Sequence, residues 1–301
     1  MSPSPTVSVV VNTKNSELYL DKALQSVSFA TEIIVVDMQS SDGTREIAKK
    51  YTKNVFDFKD VGYVEPARNF ALSKAKSEWV LVLDSDEEVT ESLQKKILAT
   101  LASPSADAYY IPRRNEVFGH VMEKTGWWPD YQMRLFKRGT IEWSDEIHSV
   151  PKIRGKVESF PPEPQAALLH HNYQHVDQFV ERMNRYTDVQ SRYIRSDSQA
   201  PAQIIEAFKD ELLRRLFQHK GIDEGMHGVG LSFLQSFYSV LLVLKKWEEQ
   251  GFEETEADQE ETIQALESFQ HDISYWIDEY RAQRSPFLTR FIIKVRRKIG
   301  L

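Results

Sequence analysis

The sequence predicts an α/β fold with a sheet-based first half and a helical second half, and three observations carry this. Short β-branched runs alternate with amphipathic stretches over the first hundred residues, the pattern of βαβ units on a largely parallel sheet. One such run, Trp79 to Leu83, stops abruptly in Asp84-Ser85-Asp86-Glu87-Glu88, which crowds acids at the carboxyl end of a buried strand, where open α/β sheets bind ligands. From Val176 onward the chain is predominantly helical and no strand pattern returns.

Taken in order, Val7 to Val11 reads as a buried strand, and Tyr19 to Val27 as a helix with Leu20, Ala23, Leu24 and Val27 on one side. Ile33 to Asp37 is a second strand. The turn Ser40-Ser41-Asp42-Gly43-Thr44 leads into a helix carrying Ile47, Ala48 and Tyr51, with Gly43 relieving a tight turn at its N-cap. Val55 to Phe58 is a weaker strand, Ala67 to Ala75 a helix, and Trp79 to Leu83 an apolar strand. Beyond residue 105 the segments lengthen: Ala108 to Pro112, Gln132 to Lys137 and Ala166 to His170 read as strands between loops rich in Gly, Pro and Trp. The helical part has breaks at Ser196 to Pro201 and Gly221 to Gly230. The expected division is a first domain over 1–175, a helical region over 176–284 and a basic tail over 285–301.

Composition narrows the chemistry. The 301 residues are 41% hydrophobic and 28% charged, ordinary for a globular chain with a sizeable core. There is no cysteine, which excludes disulfide scaffolds, thiolate zinc sites, iron–sulfur ligation and thiol nucleophiles, so any metal must be held by Asp, Glu, His or backbone oxygen. A formal net charge of -7 argues against nucleic acid as a partner. The first residues lack the pattern of a signal peptide, so a cytoplasmic location is expected. Gly228 to Leu244 is the longest uncharged run, short of a spanning segment, and reads as a buried helix.

The Asp84-Ser85-Asp86 triplet can converge two carboxylates on one divalent cation that also meets a diphosphate. Taken alone, it reads better as a solvated acidic loop capping a helix that starts at Thr90 and Glu91. It is not alone. Val7-Ser-Val-Val-Val-Asn-Thr-Lys-Asn15, then Ile33-Ile-Val-Val-Asp-Met-Gln-Ser-Ser-Asp-Gly-Thr44, then Ala67-Arg-Asn69 precede it in that order. The series resembles the N-terminal half of family-2 glycosyltransferases, inverting nucleotide-sugar enzymes of the GT-A fold, over roughly residues 6 to 150. Asp130-Tyr-Gln-Met-Arg-Leu-Phe136 resembles the D-x-Q-x-R-L-F segment of the branch containing lipopolysaccharide-core and related β-glucosyltransferases.

The resemblance implies roles. Thr13, Lys14 and Asn15, with Asp37, flank the nucleoside; Arg68 and Asn69 face the nucleotide, Arg68 suiting a phosphate or a planar base. Asp84 and Asp86 hold Mg²⁺ or Mn²⁺ against the leaving diphosphate. His170, at the end of a late strand, is the candidate third ligand, with local packing of His170 and His171 the plain alternative. His171 and His175 at i, i+4 lack the support of a zinc motif and are not read as one.

An inverting displacement also needs a base near the acceptor hydroxyl. Where the branch commonly reads W-x-x-x-V-H-E, this chain has Trp143-Ser-Asp-Glu-Ile-His-Ser149, with Ser149 in place of Glu. Glu146, then Asp145, are the candidates, with Asp130 a third. Trp127-Trp128-Pro129 is a candidate sugar-stacking platform, or an apolar anchor beneath the loop.

The charge is unevenly spread. Glu248 to Glu261 holds eight acids and no base, while Ser285 to Leu301 holds five bases and no acid. If helical, that tail sets Phe287, Leu288, Phe291, Ile292, Val295 and Ile299 in one apolar stripe, the signature of a helix in an anionic membrane interface; docking on its own domain is the competing reading. The sequence thus predicts a metal-dependent inverting transferase moving a hexose from a nucleotide diphosphate sugar, by resemblance linked to uridine, to a glycolipid, oligosaccharide or lipopolysaccharide-like acceptor, peripheral at the inner face of the cell membrane. The alternative is a degenerate nucleotide-sugar-binding module on the same scaffold. A dinucleotide-dependent oxidoreductase is set aside because no G-x-G-x-x-G occurs.

Overall fold

A computed structural model describes residues 5–62, 64–143, 151–194, 200–253, 259–287, 290 and 292. The chain divides into two compact units: residues 1–121 with 127–172, and residues 122–126 with 173–301.

The first unit opens with β1 (Val7–Thr13), α1 (Leu20–Ser26), β2 (Glu32–Asp37), α2 (Thr44–Tyr51), β3 (Val55–Asp57), α3 (Glu65–Lys74) and β4 (Trp79–Asp84). It continues through β5 (Glu87–Val89), α4 (Glu91–Ala102), β6 (Ala108–Val117), β7 (His120–Val121) and β8 (Asp130–Lys137). The short β9 (Ile141–Glu142) and β10 (Lys152–Ile153) pair with each other, and β11 (Val157–Ser159) and β12 (Leu168–Tyr173) complete the set. The main sheet runs β3-β2-β1-β4-β8-β6-β12-β5, with β7 and β11 also on β6. Strands β3, β2, β1 and β4 are parallel, as the βαβ rhythm predicts, and β8 joins β4 antiparallel.

Strand β1 shows why the chain folds this way. It is buried along its whole length, and its alternate residues feed two cores. Val7, Val9 and Val11 pack with Leu20, Leu24, Leu93 and Ile97 on one face; Val10 packs with Ile34, Val36, Ala67, Ala71, Val80 and Val82 on the other. Helices α1, α2 and α4 therefore cover one side of the sheet and α3 the other. Thr90 caps α4, its hydroxyl accepting from Leu93 N at 3.2 Å, as the Thr90-Glu91 start signal predicts. Strand β5, by contrast, lies inside the run read as an acidic loop. Glu87 there is wholly buried among arginines, a tertiary effect that local composition does not show. Gly43 has φ −71°, so it relieves no left-handed turn; what it provides is room, since a Cβ would lie 3.0 Å from the Glu17 carboxylate.

The second unit comprises α5 (Val176–Gln190), α6 (Pro201–Leu213), α7 (Gly225–Glu249) and α8 (Gln259–Arg284). Phe208 of α6 meets Phe233 and Phe237 of α7 and Phe269 of α8 at centroid distances of 5.6–6.2 Å. Residues 122–126, expected within the first domain, belong to this unit because Glu224 binds them: its carboxylate accepts from Lys124 N at 3.1 Å, Thr125 Oγ1 at 3.0 Å and Glu123 N. The glycine-rich stretch read as a break is helical from Gly225 onward. A Cβ on Gly228 would lie 2.0 Å from the Gly221 carbonyl oxygen, so the residue is glycine for close approach rather than for a turn.

Helix α7 is not the buried helix the sequence suggested. Only Gly228, Leu231, Ser232 and Ser236 are buried along it, and Met226, Phe233 and Phe237 are exposed. By length and composition it could cross a membrane, a description that core helices also meet. Most of the basic tail lies outside the described residues, as do residues 254–258 of the acidic stretch.

Trp79 is fully buried at the start of β4 and stacks at a tilt on Tyr109 across 6.1 Å. Trp79→Ala should cost about 3–5 kcal/mol, read from a urea denaturation series on the full chain. A loss below about 1 kcal/mol would contradict the packing described.

Candidate functional site

Parallel pairing lines up the strand ends. In register, Thr13 lies opposite Asp37, Asp37 opposite Asp57, and Asn12 opposite Asp84, so the carboxyl ends of β3, β2, β1 and β4 form one polar edge. Asp37 is buried, and its carboxylate accepts from the Ser40 hydroxyl at 2.5 Å and the Ser40 amide at 3.3 Å. That pairing shapes the turn into α2. Asn15, with φ +48°, ties the same turn to β1: its amide donates to Ser40 Oγ at 2.9 Å and its Oδ1 accepts from Ser41 N at 2.8 Å. Lys14 pairs with Asp60. Beside them Asn12 Oδ1 and Thr13 Oγ1 are buried without a hydrogen-bond partner, two acceptors that a nucleoside's donors could satisfy.

Asp84 sits inside a cluster of guanidinium groups. Arg134, from the middle of β8 and only 2% exposed, donates to the Asp84 carboxylate and, at 2.7 Å, to Glu87. Arg113 donates to Glu87 at 3.0 Å and to Asp130 at 2.7 and 2.9 Å; Arg113 and Arg68 each also stand 3.9 Å from Asp84. Burial pushes the Asp84 carboxyl up, but Arg134, Arg68 and Arg113 outweigh it and hold the group well below the usual carboxylate range. The same carboxylates raise Arg134 and Arg113 against the opposing effect of burial. Three cations and three anions, Asp84, Glu87 and Asp130, thus balance within one partly closed network.

Asp86 and His170 stand together. His170, from β12 and 5% exposed, has Nε2 3.4 Å from Asp86 Oδ2 and Nδ1 2.6 Å from Asn115 Oδ1. Two donors sharing an octahedral cation at ~2.1 Å lie roughly 3 Å apart, so this pair suits a cation whose remaining ligands are phosphate and water. Asp84, expected as their companion ligand, is not with them: its oxygens are directed to Arg134. Among the described residues no three His, Asp or Glu side chains converge on a common metal position. The donor set therefore fits a cation shared with a ligand, not a cage built by protein alone.

Arg68 and Asn69, expected to face a nucleotide, divide. Asn69 commits both ends of its amide to the Trp143 backbone, Nδ2 donating to the carbonyl at 2.7 Å and Oδ1 accepting from the amide at 3.1 Å. Arg68 lies 5.6 Å from the Trp143 ring centroid, and its Nε is buried without a hydrogen-bond partner. Asp145, Glu146, His148 and Ser149 lie outside the described residues. Asp130, the third candidate base, receives hydrogen bonds from Arg113, Asn115 and Gln132; burial pushes it up, but Arg113 and these donors bring it below the usual range. A carboxylate so held is a poor proton acceptor near neutral pH.

The sequence reading gave no role to Arg113, Asn115, Glu87 or Arg134, although Arg134 stands in the quoted D-x-Q-x-R-L-F run. Nor did it foresee that His171, stacked on Tyr19 with centroids 5.0 Å apart, spans Glu116 at 2.7 Å and Glu88 at 2.6 Å. The local signal for Arg113, Asn115, Arg134 and His171 is a polar or charged side chain within a strand, which is where a buried network must begin.

The glycosyl transferase family 2 model matches residues 8–152, the stretch that holds the polar strand edge and the Asp84–Asp86 turn. Residues 8–152 are a glycosyl transferase family 2 domain. The α/β fold described above is the GT-A arrangement that this family implied from the sequence. An uncharacterised glycosyltransferase of Rickettsia bellii is 27% identical over 232 residues, covering 70% of this chain and 77% of the relative. The lipopolysaccharide core biosynthesis glycosyltransferase LpsC of Rhizobium meliloti is 24% identical over 199 residues, covering 64% and 72%. An uncharacterised glycosyltransferase of Rickettsia typhi is 39% identical over 104 residues; the match spans only 35% of that relative and 34% of this chain. Among solved structures, S. aureus TarS 1-349 in complex with UDP-GlcNAc aligns over 91% of this chain and 83% of that one, at 18% identity and a TM-score of 0.46.

Removing Arg134 leaves Asp84 and Glu87 without their shared buried cation. Arg134→Met should cost about 3–5 kcal/mol in chemical denaturation at pH 7. Asp84 should also give a signed pH effect: its folded pKa is below the unfolded value near 3.8, so its contribution is complete above about pH 4 and is lost as pH falls through the folded value. Stability of the unaltered protein should therefore drop more steeply below about pH 4 than that of Asp84→Asn. Equal slopes would contradict the network.

Proposed function

We propose that this family 2 domain transfers a hexose, with inversion, from a uridine-diphosphate-linked donor to a sugar hydroxyl of a glycolipid or lipopolysaccharide-like acceptor. The observation that carries the reading is the polar edge at the carboxyl ends of β1, β2 and β4. It sets unsatisfied acceptors at Asn12 and Thr13 beside the Arg68, Arg113 and Arg134 cluster and next to the Asp86–His170 pair. A nucleoside suits the first, a diphosphate the second, and the phosphate-bound cation the third. The name of the Rhizobium relative supports a lipopolysaccharide-type acceptor.

In this reading Asp86 and His170 hold Mg²⁺ or Mn²⁺, which supplies Lewis-acid stabilisation of the departing diphosphate. Asn12 and Thr13 orient the nucleoside, and Asp37 fixes the turn that bounds it. Arg68 and Arg113 are the partly exposed guanidiniums, 20% and 15%, and offer donors to the diphosphate oxygens. Asp84 keeps those guanidiniums in place. The acceptor oxygen forms its bond to the sugar's C1 as the C1–oxygen bond to the diphosphate breaks, and the acceptor's proton passes to a carboxylate, Glu146 or Asp145. Trp127 and Trp128, both half-buried, are the aromatic side chains proposed to stack on a sugar ring.

The second reading is a binding module that retains the donor site without turnover, favoured by Ser149 where the related branch has Glu. Purified protein incubated with Mn²⁺ and a panel of nucleotide sugars decides between them. Turnover of a uridine donor, abolished by chelator and reduced at least 100-fold by Asp86→Ala, is the expected result. Nucleotide binding by calorimetry with no turnover for any donor and acceptor would establish the module, and turnover indifferent to Asp86→Ala would remove the cation from the site.

A further inference from the structure

We propose that Asn115 is a positioning residue that fixes the tautomer of His170, holding the proton on Nδ1 so that the Nε2 lone pair faces Asp86. The cation this prepares for rests on the reading of the donor site above; the tautomer itself does not.

Asn115 lies on β6 and is wholly buried. Its Nδ2 stands 3.1 Å from the Trp127 carbonyl oxygen and 3.0 Å from Asp130 Oδ2. Both are acceptors, Asp130 being held as a carboxylate by Arg113 and its other donors. An amide flipped by 180° would set its own oxygen against both of them, so chemistry fixes the nitrogen there and the oxygen toward His170. Asn115 Oδ1 can only accept, and His170 Nδ1 is 2.6 Å away, so Nδ1 carries hydrogen. In the neutral imidazole Nε2 is then the lone pair, opposite to the tautomer that a free histidine side chain prefers in water. That lone pair is 3.4 Å from a carboxylate oxygen of Asp86, a juxtaposition that a cation shared by the two would satisfy.

The second consequence follows from the partners. Asn115 Nδ2 is bonded to Asp130, the first residue of the D-x-Q-x-R-L-F strand, and Asp130 is bonded to Arg113, which reaches Glu87 and Asp84. Asn115 therefore joins the His170–Asp86 pair to the guanidinium cluster through one hydrogen-bonded path. In a metal site, such an outer partner orients the ring and fixes which nitrogen is free.

The test reads the tautomer directly. Long-range ¹⁵N–¹H spectra of the full chain at pH 8.5, without metal or nucleotide, should show His170 protonated on Nδ1. In Asn115→Leu the population should shift to Nε2–H, and Mn²⁺ affinity followed by electron paramagnetic resonance should fall roughly tenfold or more. Asn115→Ala removes the acceptor without adding bulk or charge against Asp130, should give the same shift to Nε2–H, and serves if the leucine variant does not fold. His170 protonated on Nε2 in the unaltered protein, or a tautomer unmoved in Asn115→Leu, overturns the proposal. A tautomer that shifts while Mn²⁺ affinity does not would uphold the positioning role and overturn the cation reading of the donor site.

Discussion

The site depends on one electrostatic arrangement, the Arg134 guanidinium shared between Asp84 and the fully buried Glu87. Three side chains from β4, β5 and β8 meet there, and neither Arg134 nor Glu87 could be ionised in that position alone without a cost of several kcal/mol. Together they fix the end of β4 and the turn that carries Asp86. They also hold Arg113, through which the network reaches Asp130 and Asn115. The geometry of the Asp86–His170 pair is thus set from two directions, by the turn after β4 and by the hydrogen-bonded path through β6.

This arrangement also explains how one Asp-x-Asp triplet divides its work. Adjacent carboxylates on a shared cation would demand that both keep oxygens free, yet Asp84 gives its own to Arg134. Asp86, two residues on and past the end of the strand, is the one placed with His170. In the proposed reading the first acid anchors the cations offered to phosphate and the second is left for the metal. A guanidinium cluster needs such an anchor, since Arg68, Arg113 and Arg134 would otherwise repel one another.

Much of the first unit is legible in its sequence for a simple reason: parallel strands buried on both faces are written as near-continuous apolar runs, and Val7 to Val11, interrupted only by Ser8, Ile33 to Val36 and Trp79 to Leu83 are such runs. The acids that end them mark the edge where the site lies. What the sequence does not display is pairing at a distance. Glu87 reads as one more exposed acid until Arg134, 47 residues later, covers it. Asn69 reads as a ligand-facing amide until the Trp143 backbone is seen to take both of its ends. Gly228 reads as a helix breaker until Gly221 is found beneath it. In each case a contact between residues far apart, or a tight approach, decides a role that local pattern assigns otherwise.

In the proposed reading, donor phosphates and their cation meet at the carboxyl ends of β1 and β4, with Asp84 kept by arginine and Asp86 given to the metal. A crystal structure of the protein with a uridine-diphosphate sugar and Mn²⁺ tests it most directly. The expected result is Mn²⁺ bound to Asp86 and to His170 Nε2, diphosphate oxygens within hydrogen-bond reach of Arg68 or Arg113, and Asp84 still on Arg134. Mn²⁺ held by Asp84 with Arg134 displaced, or a nucleotide bound away from this edge, would contradict it.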